Sequence, residues 1–426
     1  MQRDSWVLYG THLSPFALKV AAALTYSHVP FKWVFQLNAF AAIRYELWVN
    51  MLRLGLFQID IPKSRTDLEE LPLVPFLFSE RDRKAAYDST AILDELSVDA
   101  HLDSPSNEFM SYLLEEFFDE WGLYIVHHNR WTDLTNRISW GNDVSKSPGY
   151  FLNCNEMLKP YPKPHALSIY TSNIFNRRQT RRLPYLFSVD KLNASRLKIP
   201  ETVHLLDSSF ERLLDGLELI YMESNYMIPG SAAFTKADLS CFGQFNMNAL
   251  LEIGTREKMK LRSPTFLRWL DEMQCTINEH VHLKELPQVL TEPKTNSVIA
   301  RDENPQSGSG MAIILSECVK FFIPLMRANA KAFEIANERG ETIYNEAAFD
   351  KGRCIFSSEF EMEGRVVPYS QVVKTFQVGV WSNIMSKWNA LSAEDIFEIE
   401  TRYKFNIREA FEKQISPVSL QVSSKL

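Results

Sequence analysis

The sequence predicts an α+β protein in three parts: a small domain of strands and helices, an all-helical second domain and a small α/β C-terminal extension. Three observations carry this reading. A short apolar run, Trp6–Tyr9, breaks at Gly10–Leu13 and passes into a helix-start signal at Ser14-Pro15. Further short apolar runs, bounded by prolines and charged turns, follow as far as Tyr87. From Leu113 onward, apolar residues recur at helical spacing over runs too long for strands.

Length and composition set the outer limits. A chain of 426 residues forms two or three domains with ample core. At 45% hydrophobic and 23% charged it is a folded chain. Its net charge of −7 argues against a nucleic-acid backbone partner, which needs a basic face. No run approaches the ~18 apolar residues of a membrane span, and Lys19 interrupts the nearest candidate for a leader core. The five cysteines form neither a CxxC pair nor a metal-ligand spacing, so a reducing, cytoplasmic setting is expected.

Taken in order, Trp6–Tyr9 reads as a strand buried on both faces. Ser14 at an N-cap and Pro15 at the first helical position start a helix that carries Phe16, Val20, Ala23 and Leu24 at helical spacing. The strand thus delivers a hydroxyl to a helix N-terminus, where backbone N–H groups and the dipole favour an anion. On this stretch alone Ser14 reads first as a cap. Pro30–Phe35 reads as a second strand. Ala39–Gly55 places Phe40, Ile43, Leu47, Met51 and Leu54 on one helical face, and Pro62–Glu70 reads as a loop. The prolines of Leu71–Phe78 exclude an ordinary central strand. A Val-Pro step ahead of a strand, here Val74-Pro75, is where thioredoxin-like folds carry a cis proline that turns the preceding backbone outward. A charged turn at Arg81–Lys84 follows, then Tyr87-Asp88-Ser89-Thr90 leads into a helix with Asp88 or Ser89 as its cap.

Ser14-Pro15-Phe16 with Lys19-Val20 resembles the opening of serine-type glutathione transferases. Val74-Pro75 and Asp88-Ser89 follow in the order of that family's glutathione-binding positions. The resemblance implies a thioredoxin-like βαβ-ββα domain over residues 1–100 with an insertion at about 38–70. A helical domain over 105–290, a linker over 291–310 and an extension over 311–426 complete it. It also implies roles: Ser14 as the catalytic hydroxyl that favours the thiolate, and Val74 with Pro75 offering backbone to the cysteinyl part. Asp88 and Ser89 would hold the γ-glutamyl amine and carboxylate. Glutathione would be the co-substrate, with no metal, a small hydrophobic electrophile as the second substrate, and a homodimer as the assembly. The sequence departs from the pattern at Leu71-Pro72-Leu73, where many relatives place a lysine. The group for the glycyl carboxylate is therefore open, with Lys63 and Arg65 as the nearest candidates. Serine in place of cysteine at position 14 argues against thiol–disulfide exchange, which needs a protein thiol. Transfer, glutathione-dependent isomerisation or lysis, and ligand binding without turnover all stay open, because fold does not choose among them.

Beyond the first domain, Leu113–Asp133 resembles the first long helix of the second domain in large bacterial glutathione transferases, ending in His128-Asn129-Arg130-Trp131. On that helix Phe117, Trp121 and Tyr124 are candidate walls of the substrate pocket. His127 and His128 find no third ligand at a metal spacing. Arg130 could face an acidic substrate or pair with nearby acids. Thr235-Lys236-Ala237-Asp238 is a capping box ahead of a buried helix, and Pro264–Met273 fits the helix that usually follows in the family. Thr291–Gly310 reads as a linker. Met311–Asn337 is helical. Arg353–Val367 alternates around Gly364 as a hairpin, with Phe356, Phe360 and Met362 on one face and Glu359, Glu361 and Glu363 on the other. Tyr369–Leu391 and Ala393–Phe411 read as helices. The apolar content of residues 311–426 predicts an ordered appendage packed on the helical domain.

Overall fold

A computed structural model describes residues 6–10, 14–34, 75–79, 84–132, 197, 199, 203–282, 309–341, 343, 354–362, 364–413 and 416–422. The expected insertion at about 38–70, with Lys63 and Arg65, as well as Val74 and residues 291–308 of the expected linker, lie outside these residues.

Four short strands form the first sheet: β1 (Trp6–Tyr9), β2 (Phe31–Val34), β3 (Phe76–Ser79) and β4 (Lys84–Tyr87), in the order β2-β1-β3-β4. β1 is parallel to β2, and the β1–β3 and β3–β4 pairs are antiparallel. Helix α1 (Pro15–Tyr26) makes the crossover between β1 and β2, and α2 (Ser89–Glu95) follows β4. Among the described residues this gives the order βαβ-ββα. Leu8, Phe31, Trp33, Leu77 and Ala86 join Leu18, Val20 and Leu24 of α1 in the core. At the end of β1 the packing needs a glycine. A Cβ on Gly10 would stand 2.6 Å from the Cβ of Ala17.

The second part is helical. Helix α3 (Pro105–Phe117) runs through a π-helical turn (Phe118–Gly122) into α4 (Leu123–Thr132). Among the described residues, helices α5 (Leu205–Glu223), α6 (Lys236–Leu251), α7 (Ile253–Arg262) and α8 (Pro264–His282) follow. The expected single helix over Leu113–Asp133 is thus interrupted by one wider turn. Helix α6 begins at the predicted capping box: Asp238 N donates to Thr235 Oγ1, and Thr235 N donates back to the Asp238 carboxylate at 2.9 Å.

Helices α1 and α6 lie against each other in antiparallel sense. Tyr26 at the end of α1 meets Phe234 just ahead of α6, with ring centroids 4.5 Å apart. Pro15 at the start of α1 meets Gly243 further along α6, where a Cβ would come within 2.4 Å of the Pro15 carbonyl oxygen. Between these points Lys19 is buried, with 1% of its surface exposed. Its ammonium donates to Glu115 Oε1 and Asp119 Oδ2, both at 2.6 Å, and to Thr90 Oγ1 at 3.2 Å. Thr90 donates to the same Glu115 oxygen at 2.5 Å, and Ser240 of α6 donates to Asp119. Four helices therefore converge on one cation. Burial pushes the Asp119 carboxyl up from its ordinary range, and the charge of Lys19 pulls it back.

The extension is ordered and packs on the helical part. Helix α9 (Ser309–Glu317), a second π-turn (Cys318–Phe322) and α10 (Ile323–Glu338) precede strands β5 (Cys354–Met362) and β6 (Arg365–Val372). Helices α11 (Thr375–Ala390), α12 (Ala393–Tyr403) and α13 (Arg408–Glu412) then lead to β7 (Ser419–Val422), which completes a sheet of order β6-β5-β7. Helices α5 and α9 touch through glycines: a Cβ on Gly310 would lie 2.6 Å from the Gly216 carbonyl oxygen. Glu317 of α9 accepts from Arg212 and Ser209 of α5. Further on, Ser106 of α3 donates to Glu398 of α12 at 2.5 Å, and Phe109 packs on Trp388 with centroids 5.5 Å apart.

The hairpin has the expected faces. Phe356 and Phe360 are buried, Met362 is half-buried, and Glu359 and Glu361 are exposed. Gly364 supplies the positive φ of its turn. The helix expected from Tyr369 starts instead at Thr375, because Val367, Tyr369 and Gln371 continue the strand alternation and bury one face of β6. Pro368 is tolerated there because β6 is an edge strand.

Two expected outcomes follow from this packing. Replacing Lys19 by Met strands two buried carboxylates and should destabilise the fold by about 3–5 kcal/mol, read by denaturant unfolding; a loss under about 1 kcal/mol would contradict the role given to this cation. Asp238 supplies the pH dependence. Burial pushes its carboxyl up to about 6 from an ordinary 3.8, despite hydrogen bonds from Thr235, Met227 and Tyr221. A raised folded value means that the folded state holds the proton longer. The stability contributed is present below the unfolded value and is lost as pH rises through about 6. Melting temperatures at pH 4.5 and pH 7 should therefore show wild type losing ground to Asp238→Asn at the higher pH. An unchanged gap would contradict the shift.

Candidate functional site

The register of the first sheet gathers the candidate residues at one edge. Tyr9, the last residue of β1, stands opposite Phe76, the first of β3, and Phe76 stands opposite Tyr87, the last of β4. The chain leaving β1 towards Ser14, Pro75 entering β3, and Asp88-Ser89 leaving β4 therefore share one end of the sheet. The sequence distances between them are long. The strand order removes them.

Ser14 caps α1 in extended backbone geometry, and Ala17 N donates to its Oγ at 3.4 Å. Pro15 fixes the first helical φ and needs no N–H partner. Ser14 is 7% exposed. As an acceptor from the backbone it retains its own O–H for donation, at a helix end whose N–H groups favour negative charge. Asp88 caps α2, with Thr90 N donating to its Oδ1 at 2.9 Å. It does so at φ 72°, a backbone region that a residue with a Cβ rarely enters. Asp88 is half-buried and Ser89 is buried beside it. Pro75 is buried at the head of β3, and its partner in the Val74–Pro75 step lies outside the described residues.

The buried cation underlies this edge. Lys19 lies one turn beyond Ser14 on α1, and it donates to Thr90, the residue after Ser89. One side chain thus fixes both helix starts against the acids of α3. Read from the sequence, Lys19 carries no structural role of this kind. The signal for its role was a lysine among apolar helix positions, matched by the acids at 115, 116, 119 and 120 in an otherwise aromatic helix.

The chain resembles glutathione transferases. No protein-family model matches it, and no curated protein matches its sequence. Among solved structures, it is similar to a glutathione S-transferase from Rhodospirillum rubrum F11, at 16% identity over 68% of this chain and 96% of that one, with a TM-score of 0.34. It is similar to the β-etherase LigF from Sphingobium sp. strain SYK-6, at 16% identity over 65% and 98%, with a TM-score of 0.40. It is also similar to Ure2p in complex with glutathione, at 13% identity over 66% and 94%, with a TM-score of 0.32.

The residues expected to line a substrate pocket lie elsewhere. Phe117, Trp121 and Tyr124 are fully or almost fully buried, on the face of α3–α4 turned away from Glu115 and Asp119 and hence from α1. Trp121 stacks on Phe321 at 5.1 Å and donates to Ser209, Phe117 packs on Phe322, and Tyr124 donates to Gln371 at 2.6 Å. They form the floor beneath the extension. Arg130 takes the second of its two predicted roles: its Nε donates to the buried Glu252 carboxylate at 2.8 Å. His128 sits 3.2 Å from Asp207, whose carboxyl is held below its ordinary value by that contact. Among the described residues no group of three or more His, Cys, Asp or Glu could hold a metal ion.

The backbone of Asp88 offers a direct check. A left-handed conformation at a residue with a Cβ costs about 1–3 kcal/mol, whereas Gly is nearly as good a cap as Asp. Asp88→Gly should therefore stabilise the fold by about 1 kcal/mol in denaturant unfolding. A loss of stability would show that the conformation carries no strain.

Proposed function

We propose that this chain binds glutathione at the edge formed by Ser14, Val74-Pro75 and Asp88-Ser89 and uses it as a glutathione transferase does. The observation that carries this reading is the strand register, which brings a capping serine, the residue ahead of β3 and a strained Asp-Ser cap to one end of the sheet. The groups fit the ligand. A carboxylate at Asp88 accepts from an ammonium, the start of α2 with the Ser89 hydroxyl receives a carboxylate, and the Ser14 hydroxyl meets a sulfur.

The chemistry asked of Ser14 is modest. A thiol with a pKa near 8.5 is little ionised at neutral pH. Ser14 Oγ is fixed by the Ala17 amide, so its proton can be donated to sulfur. A hydrogen bond to a charged acceptor contributes about 1.5–3 kcal/mol, worth roughly one to two pKa units in favour of the thiolate. The helix N-terminus adds to this in the same direction. The thiolate then has the nucleophilicity needed for attack on an electrophilic carbon. Isomerisation or lysis would use the same first step.

A second reading, binding without turnover, draws on the near-complete burial of Ser14 and its engagement as a cap. The two separate experimentally. Retention on immobilised glutathione, released by free glutathione, is expected under both. Under the catalytic reading Ser14→Ala lowers turnover of an electrophile panel by about tenfold or more, with a loss of about 1 kcal/mol in stability from the missing cap. Activity that survives the substitution while stability falls would leave Ser14 a cap only. Failure of wild type to bind glutathione would overturn the proposal outright.

A further inference from the structure

The π-turn Phe118–Gly122 presents two adjacent buried carboxylates, and each is claimed from a different side. Asp119 is held by Lys19 of α1 and Ser240 of α6. Glu120 accepts from Gln377 of the extension at 2.7 Å. Around Gln377 lies a buried polar seam. Gln371 donates to Gln377 at 3.1 Å, Lys374 donates to the Tyr124 hydroxyl at 2.7 Å, and the Lys374 ammonium stands 4.8 Å from the Tyr124 ring centroid. Asn329 locks the Lys374 backbone with two hydrogen bonds of 2.8 Å. From Glu120 the path continues through its neighbour Asp119 to Lys19, then to Thr90 and the Asp88 cap.

A π-turn is a discrete element. It holds one more residue than an α-turn, and absorbing that residue would rotate the side chains on one side of it by about 100° relative to the other. Asp119 and Glu120 could not then both keep their partners. Lys19 of α1 and Gln377 of α11 hold these neighbouring carboxylates, in a medium where an unpaired carboxylate is costly.

We propose that Gln377 and Lys374 of the extension are positioning residues for the β4–α2 turn, acting through the π-turn. Gln377 holds Glu120, and Lys374 holds the Tyr124 hydroxyl beside Gln377; together they keep Asp119 turned towards Lys19, and Lys19 in turn keeps Thr90 and the Asp88 cap in place. The extension is then a working part of the candidate site. The relevance to glutathione rests on the reading above; the mechanical coupling does not.

Amide hydrogen exchange on the full chain tests the coupling without any ligand. In Gln377→Leu, exchange should rise about tenfold over residues 84–96 and the first turn of α1, while helix α8, residues 264–282, stays unchanged. Lys374→Met should show the same pattern more weakly, with Lys374→Arg restoring it. Changes confined to residues 118–132 and 354–390 would overturn the proposal, because the seam would then be only a packing contact. A uniform rise that includes α8 would overturn it too. Gln377→Asn, one methylene shorter, repeats the test with less disturbance should Leu unfold the extension. Glutathione affinity measured in parallel separates the two ideas: exchange coupling in a chain that binds no glutathione sustains the positioning role and refutes the glutathione reading.

Discussion

Among the described residues, one buried ammonium ties together the two helix starts at the end of the first sheet. Lys19 is out of reach of water, held by Glu115, Asp119 and Thr90, with Ser240 completing the shell of Asp119. Dehydrating a lysine and two carboxylates is costly, and an apolar cluster of equal volume would stabilise the fold as well or better. What the ionic cluster supplies is a defined geometry. Two strong, short hydrogen bonds at 2.6 Å fix α1 to α3 in one register, and the third bond fixes the start of α2 to both. An apolar contact between the same helices would permit sliding. A site built from two helix starts does not tolerate it.

The second constraint is the sheet. Its four strands are only four residues each, too short to carry function themselves. Their register nevertheless decides which loops meet. Since β1 and β4 end, and β3 begins, at the same edge, three chain segments with no sequence proximity come together there. Backbone strain at Asp88 is placed at this edge, as expected where geometry is kept for a purpose other than stability. Gly10 and Gly243 serve the same end by letting β1 and α6 close on the first turn of α1.

Much of the fold was legible from local signals. The Ser14-Pro15 start, the capping box at Thr235 and Asp238, and the alternation around Gly364 each have a short-range physical cause, and each stands where the residues put it. The misses have causes of a longer range. The sequence offers Phe117, Trp121 and Tyr124 as candidate pocket walls but does not say what covers them. The cover is Phe321, Phe322 and Gln371, some two hundred residues away. The π-turn was not legible because the partners of its two carboxylates, Lys19 and Gln377, lie about a hundred residues or more away in the chain. Helix α11 starts six residues after the expected Tyr369, because Val367, Tyr369 and Gln371 pair their buried face into β6, a long-range contact.

The account stands or falls on what occupies the sheet edge. A crystal structure of the chain grown with glutathione is the most direct measurement. The account predicts the sulfur within hydrogen-bonding distance of Ser14 Oγ, with the γ-glutamyl end at Asp88 and Ser89 and the ligand backbone paired with Val74. Glutathione bound away from this edge, or an edge closed by the chain's own side chains, would contradict it.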